Sequence, residues 1–254
     1  MSLPRVATTM FASQNNRSHV AWDIETTGFA WNDEITVSGF WFPAGHADLI
    51  LNTNATHVDT DRIEEELQTV SGGVPLTVVA ADNETELLTS TAQVLFEKFD
   101  REYNRLIAFN AEVWKGGFDL PFVRTRCFKN GVNWIFDGIQ FVDLWDALKK
   151  RINTTHTAYG GSISVNSLTG AHKILFSKPE VPDSVLPDNE EDYSWYREYE
   201  YDPFNSSGSA ASRYRTEDYL PVLQHNLADV HRTWEIGELI REFVSAKDFN
   251  TKKL

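Results

Sequence analysis

The segment Asp23-Ile24-Glu25 contains the first residues of this chain whose types and spacing could do chemistry. It follows the apolar run Val20-Ala21-Trp22, which is typical of a buried strand. Because side chains alternate along a strand, the two carboxylates project to the same side, about 7 Å apart. Carboxylates placed in this way repel each other unless a cation lies between them, and such hard oxygen ligands suit Mg²⁺ or Mn²⁺. The alternative is an exposed acidic strand end, so the rest of the chain must decide between the two.

Further candidate residues lie far downstream. Asp119 falls where a Phe-Asp-Leu-Pro sequence predicts the start of a helix, since proline is tolerated in a first helical turn. His225 and Asp229 lie four residues apart, on one face of the longest predicted helix. Asn110 closes a short predicted strand, and Asp143 is a further acid that is explained at least as well as a helix cap.

The elements that must position these residues follow from hydrophobic periodicity and turn signals. Three strands come first, then helices alternate with short buried strands, so that the order begins β-β-β-α-β. This order predicts an α/β fold with a central mixed sheet, in which an antiparallel three-strand meander is joined by parallel strands and flanked by helices. Beyond the first strand, we expect strands at 34–42, 47–52 and 106–109, and helices at 61–70, 84–103, 144–152, 165–175 and 216–244.

Composition limits the class of protein. The 254 residues, 41% of them apolar, suit one sizeable domain, and the single cysteine, Cys127, excludes an intramolecular disulfide and a cysteine zinc cluster. We find no transmembrane segment and no signal peptide, so we expect a soluble, cytoplasmic protein without membrane contact. The expected organisation is a flexible tail at 1–17, one domain at 18–246 with a Pro-, Tyr- and Ser-rich insertion at about 177–212, and a tail at 247–254.

The formal net charge of −14 is unfavourable for a protein that approaches nucleic acid. Bound metal ions could neutralise the site locally, or the protein could work at high salt, where the Debye length falls to about 3 Å at 1 M.

With its acids at these positions, the sequence resembles those of the DEDD superfamily of 3′–5′ exonucleases, which has an RNase H-like fold. Three motifs occur in the family's order and extend over roughly residues 20–240 apart from the insertion. They are D-I-E-T-T-G at 23–28, N…F-D-L-P-F across 110–122, and H-N-L-A-D at 225–229. The His lies four residues before the last Asp, which is the spacing of the tyrosine branch; the histidine branch usually has five.

The resemblance implies a two-metal hydrolysis, in which two divalent ions, Mg²⁺ or Mn²⁺, lie about 4 Å apart. It implies that Asp23 bridges both ions, that Glu25 and Asp229 complete the nucleophile-side site, and that Asp119 holds the second ion. His225 would accept a proton from the attacking water. Thr26 and Asn110 are candidates for positioning the substrate.

These observations predict a metal-dependent 3′–5′ exonuclease, a hydrolase that acts on the 3′ ends of single-stranded nucleic acid, with DNA slightly favoured over RNA. Three alternatives stay open. The first is a nucleic-acid-binding module that has lost turnover. The second is a proofreading or processing subunit that depends on a polymerase or another replication or repair partner. The third is an acidic interaction domain that binds no metal.

Overall fold

The computed structural model describes residues 17–112, 117–158, 161–176, 201–204 and 207–254. Residues 1–16 of the expected N-terminal tail and residues 177–200 of the expected insertion lie outside this part of the chain. Nothing in the described part is both long and apolar enough to form a membrane-spanning helix.

Within the described residues, a seven-stranded mixed sheet forms the centre of the fold, and a separate hairpin lies outside it. The strands are β1 (Ser18–Thr26), β2 (Ile35–Phe42), β3 (His46–Asn52), β4 (Leu76–Ala81), β5 (Asn104–Ala108), β6 (Gln140–Asp143), β7 (Thr155–Ala158), β8 (Gly161–Ser164) and β9 (Lys252–Lys253). The order in the sheet is β4-β3-β2-β1-β5-β6-β9, and the hairpin pairs β7 with β8. Strands β1, β2 and β3 form an antiparallel meander, and β5 and β6 run parallel to β1.

Helices cover both faces of the sheet. The helices are α1 (Thr60–Val70), α2 (Glu84–Lys98), α3 (Asp119–Asn130), α4 (Leu144–Arg151), α5 (Leu168–Phe176), α6 (Ser207–Tyr214) and α7 (Tyr219–Phe243). The predicted α/β class, with a mixed sheet flanked by helices, is therefore confirmed, and its meander-plus-parallel arrangement is consistent with an RNase H-like fold.

Side-chain alternation along β1 divides the core into two layers. Val20, Trp22 and Ile24 face the layer under α2 and α3, whereas Ala21 packs in the layer that contains α7. Asp23 and Glu25 continue the alternation of Ala21, so that both carboxylates are on the α7 side of the sheet.

Helix α7 lies close to the sheet because two glycines remove side chains at the contact. A Cβ added at Gly39 of β2 would lie 1.8 Å from Asn226 Oδ1, and one at Gly237 of α7 would lie 2.3 Å from Ile107 Cδ1. This close approach brings the middle of α7 against β1 and β2.

Several predicted boundaries differ from the structure. Helix α2 begins after its cap, Asn83, as predicted, but it ends at Lys98 because Phe99 has extended backbone angles. Strand β4 was not predicted; it joins the sheet edge by pairing in parallel with β3. Helix α7 begins at Tyr219 rather than at Thr216.

The C-terminal residues also differ from the expected tail. A 3₁₀ turn at Ala246–Asp248 precedes Phe249, which is buried against the core, and β9 then pairs with β6. Burial of the apolar Phe249 ring holds this segment against the core.

Candidate active site

Strand β1 supplies the first two acids. Its pairing with β2 shifts register between Glu25 and Thr26, so that the strand is irregular next to its two carboxylates. Glu25 is buried, with 4% of its surface exposed, and Asp23 is half-buried.

Helix α7 brings three polar side chains opposite these acids. Asn226 Nδ2 donates a hydrogen bond of 3.1 Å to Asp23 Oδ2. His225 Nε2 lies 4.0 Å from Glu25 Oε1 and 3.7 Å from Asp229 Oδ2. The predicted pair of His225 and Asp229 therefore faces the predicted pair of acids on β1.

Asp119 arrives from a third element, as the first residue of α3. Because β1 and β5 are parallel, their carboxyl ends meet at one edge of the sheet, and the chain after β5 enters α3 at that edge. Leu120 N donates to Ala111 O at 3.0 Å, which ties the start of α3 to the residues that follow β5.

A cleft of about 470 Å³ opens between these elements. We call it the acidic cleft, after the four carboxylates that line it: Asp23, Glu25, Asp119 and Asp229. Three phenylalanines, Phe29, Phe109 and Phe118, line it as well, and among its described lining residues Arg215 is the one Lys or Arg.

The predicted substrate-positioning residues also line the acidic cleft. The Thr26 hydroxyl donates to Gly28 O at 2.9 Å, and it therefore shapes the turn after β1. Asn110 has a left-handed backbone with φ of 59°, and its N–H donates to Asp143 Oδ1 at 2.9 Å.

Asp143 is a cap rather than a member of the cleft. Its carboxylate accepts hydrogen bonds from the backbone N–H groups of Asn110, Glu112 and Trp145, at 2.9, 3.1 and 3.0 Å. It begins α4 and fixes the turn after β5, which agrees with the cap interpretation of its sequence position.

Crowding of the acids changes their proton affinity. Burial, together with the charges of neighbouring acids, raises the pKa of Asp23 well above its usual range and raises the pKa values of Glu25 and Asp119 to about 8 each. The charge of Asp229 contributes to all three shifts. Such raised values mean that the cleft favours positive charge, either as protons or as cations.

His225 is part of a second, charged network. Its Nδ1 lies 2.9 Å from Asp202 Oδ1, and Arg232 Nη1 lies 2.5 Å from Asp202 Oδ2 and 2.8 Å from Asp229 Oδ1. Burial alone would lower the pKa of His225, but the hydrogen bond to Asp202 and the charges of Asp229 and Glu25 outweigh it and raise that pKa to about 9. Burial alone would raise the pKa of Asp202, but the hydrogen bond from His225 and the charge of Arg232 outweigh burial and lower that pKa. Asp202 is therefore ionised.

Sequence reasoning missed Asp202 and Arg232. Arg232 lies three residues after Asp229, a spacing at which side chains on a helix meet, and this signal could have identified it. Asp202 lies within the predicted insertion, and nothing in its sequence surroundings indicates that it reaches α7.

The donor atoms of this site could hold a metal ion. Ligand atoms of Glu25, His225 and Asp229 all lie within 4.8 Å of one another. The buried His225 Nε2 has no hydrogen-bond partner among the described residues, so the site contains a polar atom that an ion would satisfy. Carboxylate oxygens and an imidazole nitrogen are the donors that divalent metals use in proteins.

No protein-family model matches the chain, and no curated protein matches it. Among solved structures, it is similar to the family B DNA polymerase from the hyperthermophilic archaeon Pyrobaculum calidifontis, with 14% identity and a TM-score of 0.49. The similarity covers 87% of this chain but 24% of the polymerase, so this chain spans about a quarter of that protein's length.

Proposed function

We propose that this protein is a metal-dependent 3′–5′ exonuclease that hydrolyses phosphodiester bonds at the ends of single-stranded nucleic acid. The observation that carries the proposal is the meeting of Asp23, Glu25, Asp119 and Asp229 in one cleft, although they come from β1, α3 and α7. The 3′–5′ polarity and the nucleic-acid substrate are what the resemblance of the three sequence motifs to the DEDD exonucleases implies.

The cost of assembling this cluster supports a catalytic use. Four acids brought together in a half-buried cleft destabilise the fold unless a positive charge compensates them. Divalent ions, when bound, would neutralise the scissile phosphate and activate water for attack. The protein's own part would be to hold the carboxylates in place, through Asn226 on Asp23 and Arg232 on Asp229.

The shape of the cleft supports a strand end as the substrate. Its volume of about 470 Å³ falls within the range of small-molecule sites, which suits a terminal nucleotide better than a continuous duplex. Phe29 is 77% exposed beside the cleft and contacts Phe118 edge-to-face, with ring centroids 5.1 Å apart. Exposed aromatic rings of this kind can stack on unpaired bases.

The test is the incubation of 3′-labelled and 5′-labelled single strands, DNA and RNA in parallel, with Mg²⁺, Mn²⁺ or EDTA. We expect stepwise shortening from the 3′ end that requires the metal and is lost in Asp23→Asn. Glu65→Gln, which changes an exposed acid on α1, is the matched control and should keep full activity. Binding of the strand without cleavage in Mn²⁺ would contradict the proposal and indicate a binding module.

A further inference from the structure

The imidazole of His225 is buried beside two carboxylates, those of Glu25 and Asp229. Its side chain is 5% exposed, and its Nε2 is aimed between Glu25 and Asp229, with no hydrogen-bond partner in the part of the chain that the structure describes. A buried polar atom left in this way has a free-energy cost, so a missing partner is expected at that point.

The other ring nitrogen fixes the tautomer. The Asp202 carboxylate lies between the guanidinium of Arg232, with Nη1 at 2.5 Å, and His225 Nδ1, at 2.9 Å. A carboxylate paired with a guanidinium accepts hydrogen bonds through both oxygens, so His225 Nδ1 carries the hydrogen in its contact with Asp202. In the neutral ring, Nε2 then has its lone pair directed at the two acids. Arg232 reinforces this arrangement, because Nη1 holds Asp202 through one oxygen and Asp229 through Oδ1.

We infer that His225 is a ligand, through Nε2, of the divalent ion held by Glu25 and Asp229, and that Asp202 is the positioning residue that presents this nitrogen. The inference rests on the proposed function and deepens it. It assigns to His225 the role of a metal ligand at the nucleophile-side site instead of the role of a proton acceptor. A carboxylate that orients the remote nitrogen of a ligating histidine is a recurrent arrangement in metal sites.

The distances favour a ligand over a hydrogen-bond donor. A charged N–H beside a carboxylate closes to about 2.7–2.9 Å. Nε2 instead lies 3.7 Å from Asp229 Oδ2 and 4.0 Å from Glu25 Oε1. Atoms that share one ion, with bonds of about 2.0–2.2 Å, lie about 3–3.5 Å apart. The ligand atoms of the three residues lie within 4.8 Å of one another, so binding one ion would require them to move closer together.

This assignment has a consequence for metal choice. An imidazole suits transition metals, whereas Mg²⁺ prefers oxygen ligands. The site of Glu25, His225 and Asp229 should therefore bind Mn²⁺ much more tightly than Mg²⁺. Asp23 and Asp119 offer oxygen atoms alone, so the other site should keep its tolerance for Mg²⁺.

Pulsed electron paramagnetic resonance of bound Mn²⁺ provides the test, because it detects a directly coordinated ¹⁴N without any turnover. The untagged full chain would be stripped with EDTA and loaded with less than one equivalent of Mn²⁺ in a nitrogen-free buffer. We expect ¹⁴N modulation in the wild type and in His57→Gln, a control at an exposed histidine. The modulation should be absent in His225→Gln, with circular dichroism showing that this variant is folded.

The outcomes separate the inference from the function. Bound Mn²⁺ without ¹⁴N modulation in the wild type would overturn the ligand assignment and leave a metal-dependent nuclease intact. Absence of Mn²⁺ binding would overturn both. Modulation that persists in His225→Gln would assign the nitrogen to another residue and would also overturn the inference.

Metal preference gives a second readout, which does not depend on the spectroscopy. In His225→Gln, the ratio of the Mg²⁺ and Mn²⁺ dissociation constants, measured by calorimetry, should fall about tenfold or more, because nitrogen is what favours Mn²⁺. Asp202→Asn should keep the ¹⁴N modulation and weaken Mn²⁺ binding about 10–100-fold, the usual effect of losing an orienting carboxylate. Unchanged Mn²⁺ affinity in Asp202→Asn would contradict its positioning role.

Discussion

The ionised form of Asp23 is unfavourable at its position in the metal-free fold. Burial and the charges of Glu25, Asp119 and Asp229 all act against its ionised form, and the hydrogen bond from Asn226 offsets only part of this. A side chain of the same shape without the charge should therefore suit the metal-free fold better.

We expect Asp23→Asn to stabilise the metal-free protein by about 0.5–2 kcal/mol, the usual gain from a single stabilising substitution. The new amide oxygen can still accept the bond from Asn226, so the packing need not change. Thermal unfolding in EDTA would measure the gain, and unfolding in Mn²⁺ should show a smaller metal-induced increase than in the wild type. The exposed control Glu65→Gln should change neither value, and a destabilised Asp23→Asn would contradict the account.

The same acids predict how stability depends on pH. The pKa values of Glu25 and Asp119 are raised to about 8 in the fold, against about 4.3 and 3.9 in an unfolded chain. Their contribution is therefore fully present below about pH 4 and is lost as the pH rises through about 8. His225, whose pKa is raised to about 9, acts in the same direction, since its contribution is lost as the pH rises from about 6.5 to 9.

The melting temperature of the metal-free protein should accordingly fall between about pH 7 and 9. This window lies above the pH range in which His231 changes its charge. Burial lowers the pKa of His231 to about 4, so its effect on stability has the opposite sign. Because metals compete with protons for the same ligands, the increase in melting temperature on adding Mn²⁺ should grow over this window. A metal-induced increase that is independent of pH would show that these carboxyls are not the ligands.

At the scale of elements, the site depends on how closely α7 approaches the sheet. Gly39 of β2 pairs with Asp23 of β1, and Asn226 of α7 packs directly on it. The same Asn226 holds Asp23, so the space that the glycine leaves determines where the acid lies.

Gly39→Ala should displace Asn226 and cost about 1–3 kcal/mol of stability, the usual range for overpacking a core. It should also weaken Mn²⁺ binding, because Asp23 loses its hydrogen-bond donor. Chemical unfolding and calorimetry would measure the two effects. Gly208→Ala is the control, since an added Cβ meets nothing there and alanine favours the helix α6; its stability should be unchanged or higher. Equal effects of both substitutions would contradict this account.

The sequence predicted those parts of the site that depend on local periodicity. Alternation along β1 places Asp23 and Glu25 on one face, and helical spacing places His225 and Asp229 together on α7, whichever way the elements pack. The contact of Asp202 with His225 depends on a path of the chain that no local pattern encodes. Strand β4 was missed for a similar reason, because it is a short edge strand whose place is set by its pairing with β3.

At the scale of the whole molecule, charge should control how a nucleic acid approaches. The net charge is −14, and Arg215 is the one Lys or Arg among the described residues that line the acidic cleft. Arg215 donates a hydrogen bond to the carbonyl oxygen of Thr27, at the rim of the cleft. The described residues of the acidic cleft can therefore neutralise few phosphates, in contrast to the binding surfaces of most nucleic-acid-binding proteins.

The binding of a single strand should accordingly depend weakly on salt. Each phosphate contact contributes a slope of about −0.7 to log K against log salt, so we expect a total near −0.7 in the wild type and a value near zero in Arg215→Gln. Fluorescence anisotropy of a 3′-labelled strand with the cleavage-deficient Asp23→Asn, over about 50–200 mM KCl, would measure the slope. Arg213→Gln is the control, because Arg213 pairs with Asp218 at 3.0 Å and does not line the cleft. A slope of about −3 or steeper would require several further phosphate contacts, and it would show that the strand is bound by a basic surface outside the acidic cleft.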